Sequence, residues 1–184
     1  MLELVYETHS ITVDNEEGRA TGWLPGVLSE AGQEQAGALG ARRRDDGLAA
    51  VFSSDLARAA ETARIAFEGS EIPVFLDWRL RECNYGELNG KPVAELDSGK
   101  ASRVDTPYPG GESYRQVVDR VASFLADLGR WFDGGRVLII SHASPHWAIQ
   151  NLLLGRPLEE LVVEPFEWQD GWLYRLDPGQ TRRG

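Results

Sequence analysis

The most regular hydrophobic pattern lies past the middle of the chain, where Tyr114, Val117, Val118, Val121, Phe124, Leu125, Leu128 and Phe132 recur three and four positions apart. That spacing puts them on one face of a helix, a core stripe with no function of its own. Shorter apolar runs at residues 2–6, 48–52, 72–76 and 136–140 read as strands. The second and fourth have the continuous apolar character of parallel strands covered on both faces. Between the first two, Ser29 and Glu30 start a helix whose Gly32, Ala36, Gly37 and Gly40 form a small-residue face suited to packing on a sheet, and Asp45-Asp46-Gly47 ends it. A further helix covers 56–67 with Ser54 or Asp55 as its cap, and Pro145 suits the first turn of one running through Leu154 to a Gly155 C-cap. Residues 18–25, 77–92 and 98–111 read as irregular, the last as a loop or lid. Phe166-Glu167-Trp168 and Trp172-Leu173-Tyr174, on either side of Asp170-Gly171, read as an antiparallel hairpin or a pair of edge strands.

Strands alternating with helices predict an α/β fold, a three-layer α/β/α sandwich with a mostly parallel sheet and an antiparallel edge. A length of 184 residues suits one domain over 1–184. Lys and Arg number 19 against 29 Asp and Glu, a net charge of −10 that argues against a general nucleic-acid or membrane-surface binder while leaving room for a locally positive pocket. The one cysteine, Cys83, excludes an internal disulfide. No basic-then-apolar leader precedes the first strand, and the expected location is the cytoplasm.

Candidate chemistry collects where strands end. His9 follows the first strand, Ser53-Ser54 leads from the second toward Arg58, Glu82 lies on an irregular stretch, and Ser141-His142 follows the strand at 136–140. In an open α/β sheet ligands bind outside the carboxyl ends of the strands, so these groups are expected to converge. Two imidazoles, a guanidinium and a carboxyl suit phosphoryl transfer: one imidazole attacks phosphorus, the guanidinium grips non-bridging oxygens, and the carboxyl supplies the leaving-group proton. No metal or other cofactor is required, and the spacings of Cys83 and the three histidines match no usual zinc pattern. Plainer readings remain open: Arg58 paired with Glu61 on a helix surface, Glu82 held as a salt bridge by Arg79 or Arg81, and His146 sharing a face with His142 or pointing to solvent.

These segments resemble the histidine phosphatase superfamily, which includes the cofactor-dependent phosphoglycerate mutases. Thr8-His9-Ser10-Ile11-Thr12 with Asn15 occupies the place of the family's Arg-His-Gly-Glu-Thr-x-x-Asn signature. Gly18 to Trp23, Leu28 to Gly32, Ser54 to Ala63, Leu80-Arg81-Glu82 with Tyr85, Gly86 and Gly90, Pro109 to Ser113, and Ser141-His142 are similar to later family segments in order and spacing. The resemblance implies His9 as phospho-accepting nucleophile, Arg58 as phosphate clamp, Glu82 as proton donor and His142 as electrostatic partner, with Thr8, Asn15, Thr21, Gly22 and the Ala143 backbone lining the pocket. It implies a phosphatase acting on a small phosphorylated metabolite, with a phosphoglycerate mutase or a phospho-ligand-binding protein without catalysis as alternatives. The departure is Thr8, where the family has arginine; Ser10, Ile11 and Ala143 also differ from the pattern. Arg19 and Arg156 are the candidates to replace the missing guanidinium.

Overall fold

All four runs read as strands form strands in the computed structural model, which describes residues 1–177; the expected domain span of 1–184 extends past these by positions 178–184. In chain order the elements are β1 (Leu2–Thr8), α1 (Val13–Glu16), α2 (Glu30–Arg43), β2 (Ala50–Ser53), α3 (Ala57–Phe67), β3 (Val74–Leu76), α4 (Val93–Asp97), α5 (Tyr114–Trp131), β4 (Gly135–Ser141), α6 (Ala143–Leu154), α7 (Leu158–Leu161) and β5 (Trp172–Leu176). The strands form one sheet in the order β3-β2-β4-β1-β5, parallel except for β5, which runs antiparallel to β1.

Alternation along the strands sorts the core into two layers. Leu4, Tyr6, Phe52, Val137 and Ile139 face the stripe of α5 together with α6, while Val5, Val51, Leu138 and Ile140 face α2 and α3. This is the expected three-layer sandwich. The central position of β4 and β1 brings their C-terminal ends side by side, with Thr8 opposite Ser141, and the His9 amide extends the ladder by donating to the Ser141 carbonyl at 2.8 Å. Among the described residues no helix is long and apolar enough to cross a membrane.

Four local expectations need correction. The hairpin is absent: only its second half is a strand, and Phe166 and Trp168 lie in the preceding loop because β1 supplies β5 with its partner. The small-residue face of α2 packs on α3 and the loop after His9 rather than on the sheet. A Cβ on Gly40 would stand 2.3 Å from the Ala66 carbonyl oxygen, and one on Gly32 would stand 2.0 Å from that of Ile11, whereas Gly37 is exposed. Neither Ser54 nor Asp55 is the N-cap of α3; that position is Leu56, because both polar side chains are engaged elsewhere. The run at 72–76 is paired only over Val74–Leu76, an exposed edge.

Candidate active site

His9 begins the loop that leaves β1, and its surroundings fix both ring nitrogens. Nδ1 lies 2.7 Å from the Ser10 carbonyl oxygen, an acceptor only, so Nδ1 carries the proton and Nε2 keeps its lone pair. The Ser10 amide donates to the Thr62 hydroxyl on α3 at 3.0 Å, which ties the loop down. Arg58, in the first turn of α3, donates from Nε to His9 Nε2 at 3.3 Å. Burial and the Arg58 charge push the His9 pKa down to about 3, so the imidazole is neutral at ordinary pH.

Arg58 is 2% exposed, and burial lowers its pKa from the usual guanidinium range. It donates to the carbonyls of Gly22 at 2.8 Å and Leu24 at 3.1 Å, so the loop at 18–25 aims the guanidinium at His9. Glu61 pairs with Arg64 at 2.8 Å, which removes the surface-pair reading of Arg58.

His142 stands at the end of β4 and N-caps α6 through its backbone. Its ring centroid is 5.0 Å from that of His9. Nε2 lies 2.9 Å from Ser54 Oγ, which also accepts from the Leu56 amide. Nδ1 is buried and without a hydrogen-bond partner among the described residues. Burial first, and then the Arg58 charge, hold the ring neutral. The Tyr6 hydroxyl donates to the His142 carbonyl at 2.5 Å and accepts from its amide at 3.1 Å, fixing the turn from strand to helix.

Glu82 Oε1 accepts from the amides of Cys83 at 2.8 Å and Ser144 at 3.2 Å and from the Ser144 hydroxyl, so its carboxyl group supplies the cap that His142's side chain does not give α6. Arg79 is engaged by Asp77 and Asp127 and Arg81 by Asp55, so neither arginine holds Glu82. Its backbone is set by Arg120 and Trp23, which donate to its carbonyl at 2.9 and 2.7 Å.

All nine residues expected at the site border two adjoining clefts. A cleft of about 530 Å³ is bordered by Thr8, His9, Asn15, Glu82, His142 and Ala143. One of about 160 Å³ adds Thr21, Gly22 and Arg58. Two of these groups also have local tasks: Asn15 closes a capping box with Thr12 at the start of α1, and the Thr21 hydroxyl donates to Asp14 at 2.9 Å. Neither candidate replacement stands beside Thr8. Arg19 is exposed and paired with Glu17 at the smaller cleft, and Arg156 borders a separate cleft with His146, paired with Glu164 at 2.5 Å. The recess of about 130 Å³ shared by Thr8 and His9 is bordered instead by Gln35, Arg42 and Trp168. His146 neither joins His142 nor meets solvent; it is buried against Tyr6 and Trp172 and bonded to the Tyr174 hydroxyl at 2.6 Å. Sequence reading missed Tyr6, Gln35, Arg120, Ser144, Phe166 and Trp168. Tyr6 and Arg120 lie within ordinary core patterns, and the rest act through contacts that no local spacing announces. Among the described residues no group of three or more His, Cys, Asp or Glu is placed to hold a metal ion.

Comparison with known proteins adds an independent line. The family model described as histidine phosphatase superfamily (branch 1) matches residues 8–182. The probable phosphoglycerate mutase GpmB of Salmonella typhi is 32% identical over 165 residues, 85% of this chain and 77% of that one. Among solved structures, YhfR of Bacillus stearothermophilus superposes with a TM-score of 0.85 at 28% identity, covering 97% of this chain and 93% of that one. A mycobacterial glucosyl-3-phosphoglycerate phosphatase gives 0.76 at 29% identity, covering 86% and 85%. The alpha-ribazole phosphatase of Shigella flexneri gives 0.77 at 27%, covering 86% and 83%.

Proposed function

Because the chain belongs to the histidine phosphatase superfamily (branch 1), we propose that it is a phosphomonoester hydrolase, working on a small phosphorylated metabolite through a phosphohistidine on His9. The observation that carries this reading is the fixed tautomer of His9: Nδ1–H is committed to Ser10, and the Nε2 lone pair faces the buried guanidinium of Arg58. In the first step Nε2 attacks phosphorus, the P–O bond to the leaving alcohol breaks, and Glu82 delivers a proton to that oxygen. Charge on the phosphoryl oxygens is met by Arg58, by the unpartnered Nδ1 side of His142 and by the Ala143 amide at the N-terminus of α6. Water then attacks phosphorus, its proton goes to Glu82, the P–N bond breaks and phosphate leaves. Thr8 contributes a hydroxyl, and Asn15, Thr21 and Gly22 shape the wall. A cytoplasmic location, expected from the single cysteine, belongs to the same proposal, as does one domain over residues 1–184. Two solved relatives named as phosphatases support hydrolysis.

The test is phosphate release from a panel of phosphomonoesters together with acid-labile labelling of the protein. His9→Ala is expected to lower kcat/KM by at least about a thousandfold and to remove the label. Glu82→Gln should slow alkyl phosphates far more than aryl phosphates, whose leaving groups need no proton. Release by wild type no greater than by His9→Ala would remove the enzyme reading, and saturable phosphate binding without turnover would leave a binding protein, the alternative raised by Thr8. The mutase reading draws on the name of the Salmonella relative. Phosphoryl exchange between phosphoglycerates faster than their hydrolysis would establish it instead.

A further inference from the structure

The larger cleft is bordered by catalytic candidates and by apolar side chains. His9, Glu82 and His142 border it together with the apolar side chains of Ile11, Phe166 and Trp168, of which Phe166 also borders the adjoining cleft that holds Arg58. Phe166 is 41% exposed and Trp168 56% exposed, both in the loop before β5. Phe166 is braced by ring contacts with Trp172 at 5.9 Å and His146 at 6.4 Å, whereas Trp168 has no ring partner among the described residues. Two aromatic rings left open to water beside a polar site offer apolar surface that a bound ligand can cover. At about 530 Å³ the cleft falls in the size range of small-molecule sites, about 300–1,000 Å³, and exceeds what a phosphoryl group alone needs.

No lysine or arginine borders this cleft, so nothing in it is built to receive a second acidic group. Apart from Arg58, which the proposed mechanism assigns to the phosphoryl group, the neighbouring cations are already matched: Arg19 by Glu17 at 2.9 Å, Lys100 by Asp97 at 2.5 Å, and Arg42 in the Thr8 recess by Glu7 and Asp170 at 3.4 and 3.3 Å. A substrate carrying a carboxylate or second phosphate beside its ester would have to break one of these pairs. An uncharged, flat apolar group would instead cover Phe166 and Trp168 and displace water from them.

We infer that the preferred substrates are phosphomonoesters whose alcohol carries an uncharged aromatic or similarly flat apolar group, seated against Trp168 and Phe166. This rests on the phosphatase reading and names its substrate class. Benzyl phosphate, ethyl phosphate and 3-phosphoglycerate separate the possibilities, since all three release alkyl alcohols that need the same proton and differ in what accompanies the phosphate. Benzyl phosphate is expected to show a kcat/KM at least about tenfold above either of the others, with most of the gain in KM. Trp168→Ala should bring the benzyl-to-ethyl ratio down toward unity, and Trp168→Phe should restore most of it. Because Trp168 is exposed and outside the core, these variants test recognition rather than folding. Binding of benzylphosphonate and ethylphosphonate, followed by calorimetry, gives a readout that needs no turnover. Tighter binding of the benzyl compound, lost in Trp168→Ala, supports the inference even if no ester is hydrolysed, an outcome that would overturn the phosphatase reading alone. Equal constants for the benzyl and ethyl compounds, or a preference for 3-phosphoglycerate, would overturn the inference and leave hydrolysis standing.

Discussion

On the proposed mechanism, Thr8 would offer the transferring phosphoryl group one hydroxyl where the family signature has a charged fork. Charge-assisted hydrogen bonds contribute about 1.5–3 kcal/mol, and an arginine on a transferring phosphoryl group can be worth on the order of a thousandfold in rate. Arg19 and Arg156, the candidates to fill the gap, are paired with Glu17 and Glu164 and lie away from the Thr8 recess. Arg42 does border that recess, but its terminal nitrogen lies between Glu7 and Asp170 at 3.4 and 3.3 Å. Thr8→Arg is therefore expected to raise kcat/KM by at least about tenfold, as measured on a single phosphomonoester. An unchanged or lower constant would show that Arg42 already serves the phosphate and that a second guanidinium crowds it. From the sequence, the missing arginine was plain at position 8; that Arg42 borders the same recess was not, because α2 and β1 meet only in three dimensions.

At the scale of elements, the approach of α2 to α3 depends on what α2 lacks. A Cβ at position 40 would meet the backbone of Ala66, which cannot swing aside as the tip of a side chain can. Gly40→Ala is expected to lower stability by about 1–3 kcal/mol, read as a fall in the urea midpoint, since α3 also carries Arg58 and Thr62 and cannot shift without disturbing His9. At position 37, on the exposed side of the same helix, an added Cβ has nothing within 4 Å. Gly37→Ala should raise stability by up to about 1 kcal/mol through helix propensity. Equal effects of the two substitutions would mean that close packing of α2 on α3 contributes little. The sequence showed small residues along α2 but not which were buried, because a spacing of three and four identifies a face without naming its partner.

For the whole molecule, all three histidines are kept neutral by the fold. Burial pushes His9 down to about 3 and His146 to about 4, aided by Arg58 and Arg156 respectively, and holds His142 well below its ordinary value. Unfolded, each would titrate near pH 6.5, so below that value the unfolded chain binds protons that the native chain refuses. Stability is then fully present above about pH 6.5 and falls as the pH drops, by up to about 1.4 kcal/mol per pH unit for each histidine held neutral. Urea midpoints should fall steadily between about pH 7 and pH 5, a window above most carboxylate titration. A flat profile there would show that the native rings accept protons freely.

The α/β class, the mostly parallel sheet, the long amphipathic helix beginning near Tyr114 and the candidate set of His9, Arg58, Glu82 and His142 are legible in the sequence, since hydrophobic period and motif order are local properties of the chain. Whatever depends on a distant partner was settled by packing. The segment at Phe166 and Trp168 became a cleft wall instead of a strand because β1 already pairs with β5. Glu82 became the cap of α6 instead of a salt bridge because Asp55, Asp77 and Asp127 reach the arginines beside it. Ser54 went to His142 instead of capping α3 because the ends of β2 and β4 lie side by side. Each of these side chains has several chemically acceptable partners, and only the packing of distant segments fixes which of them lies within reach.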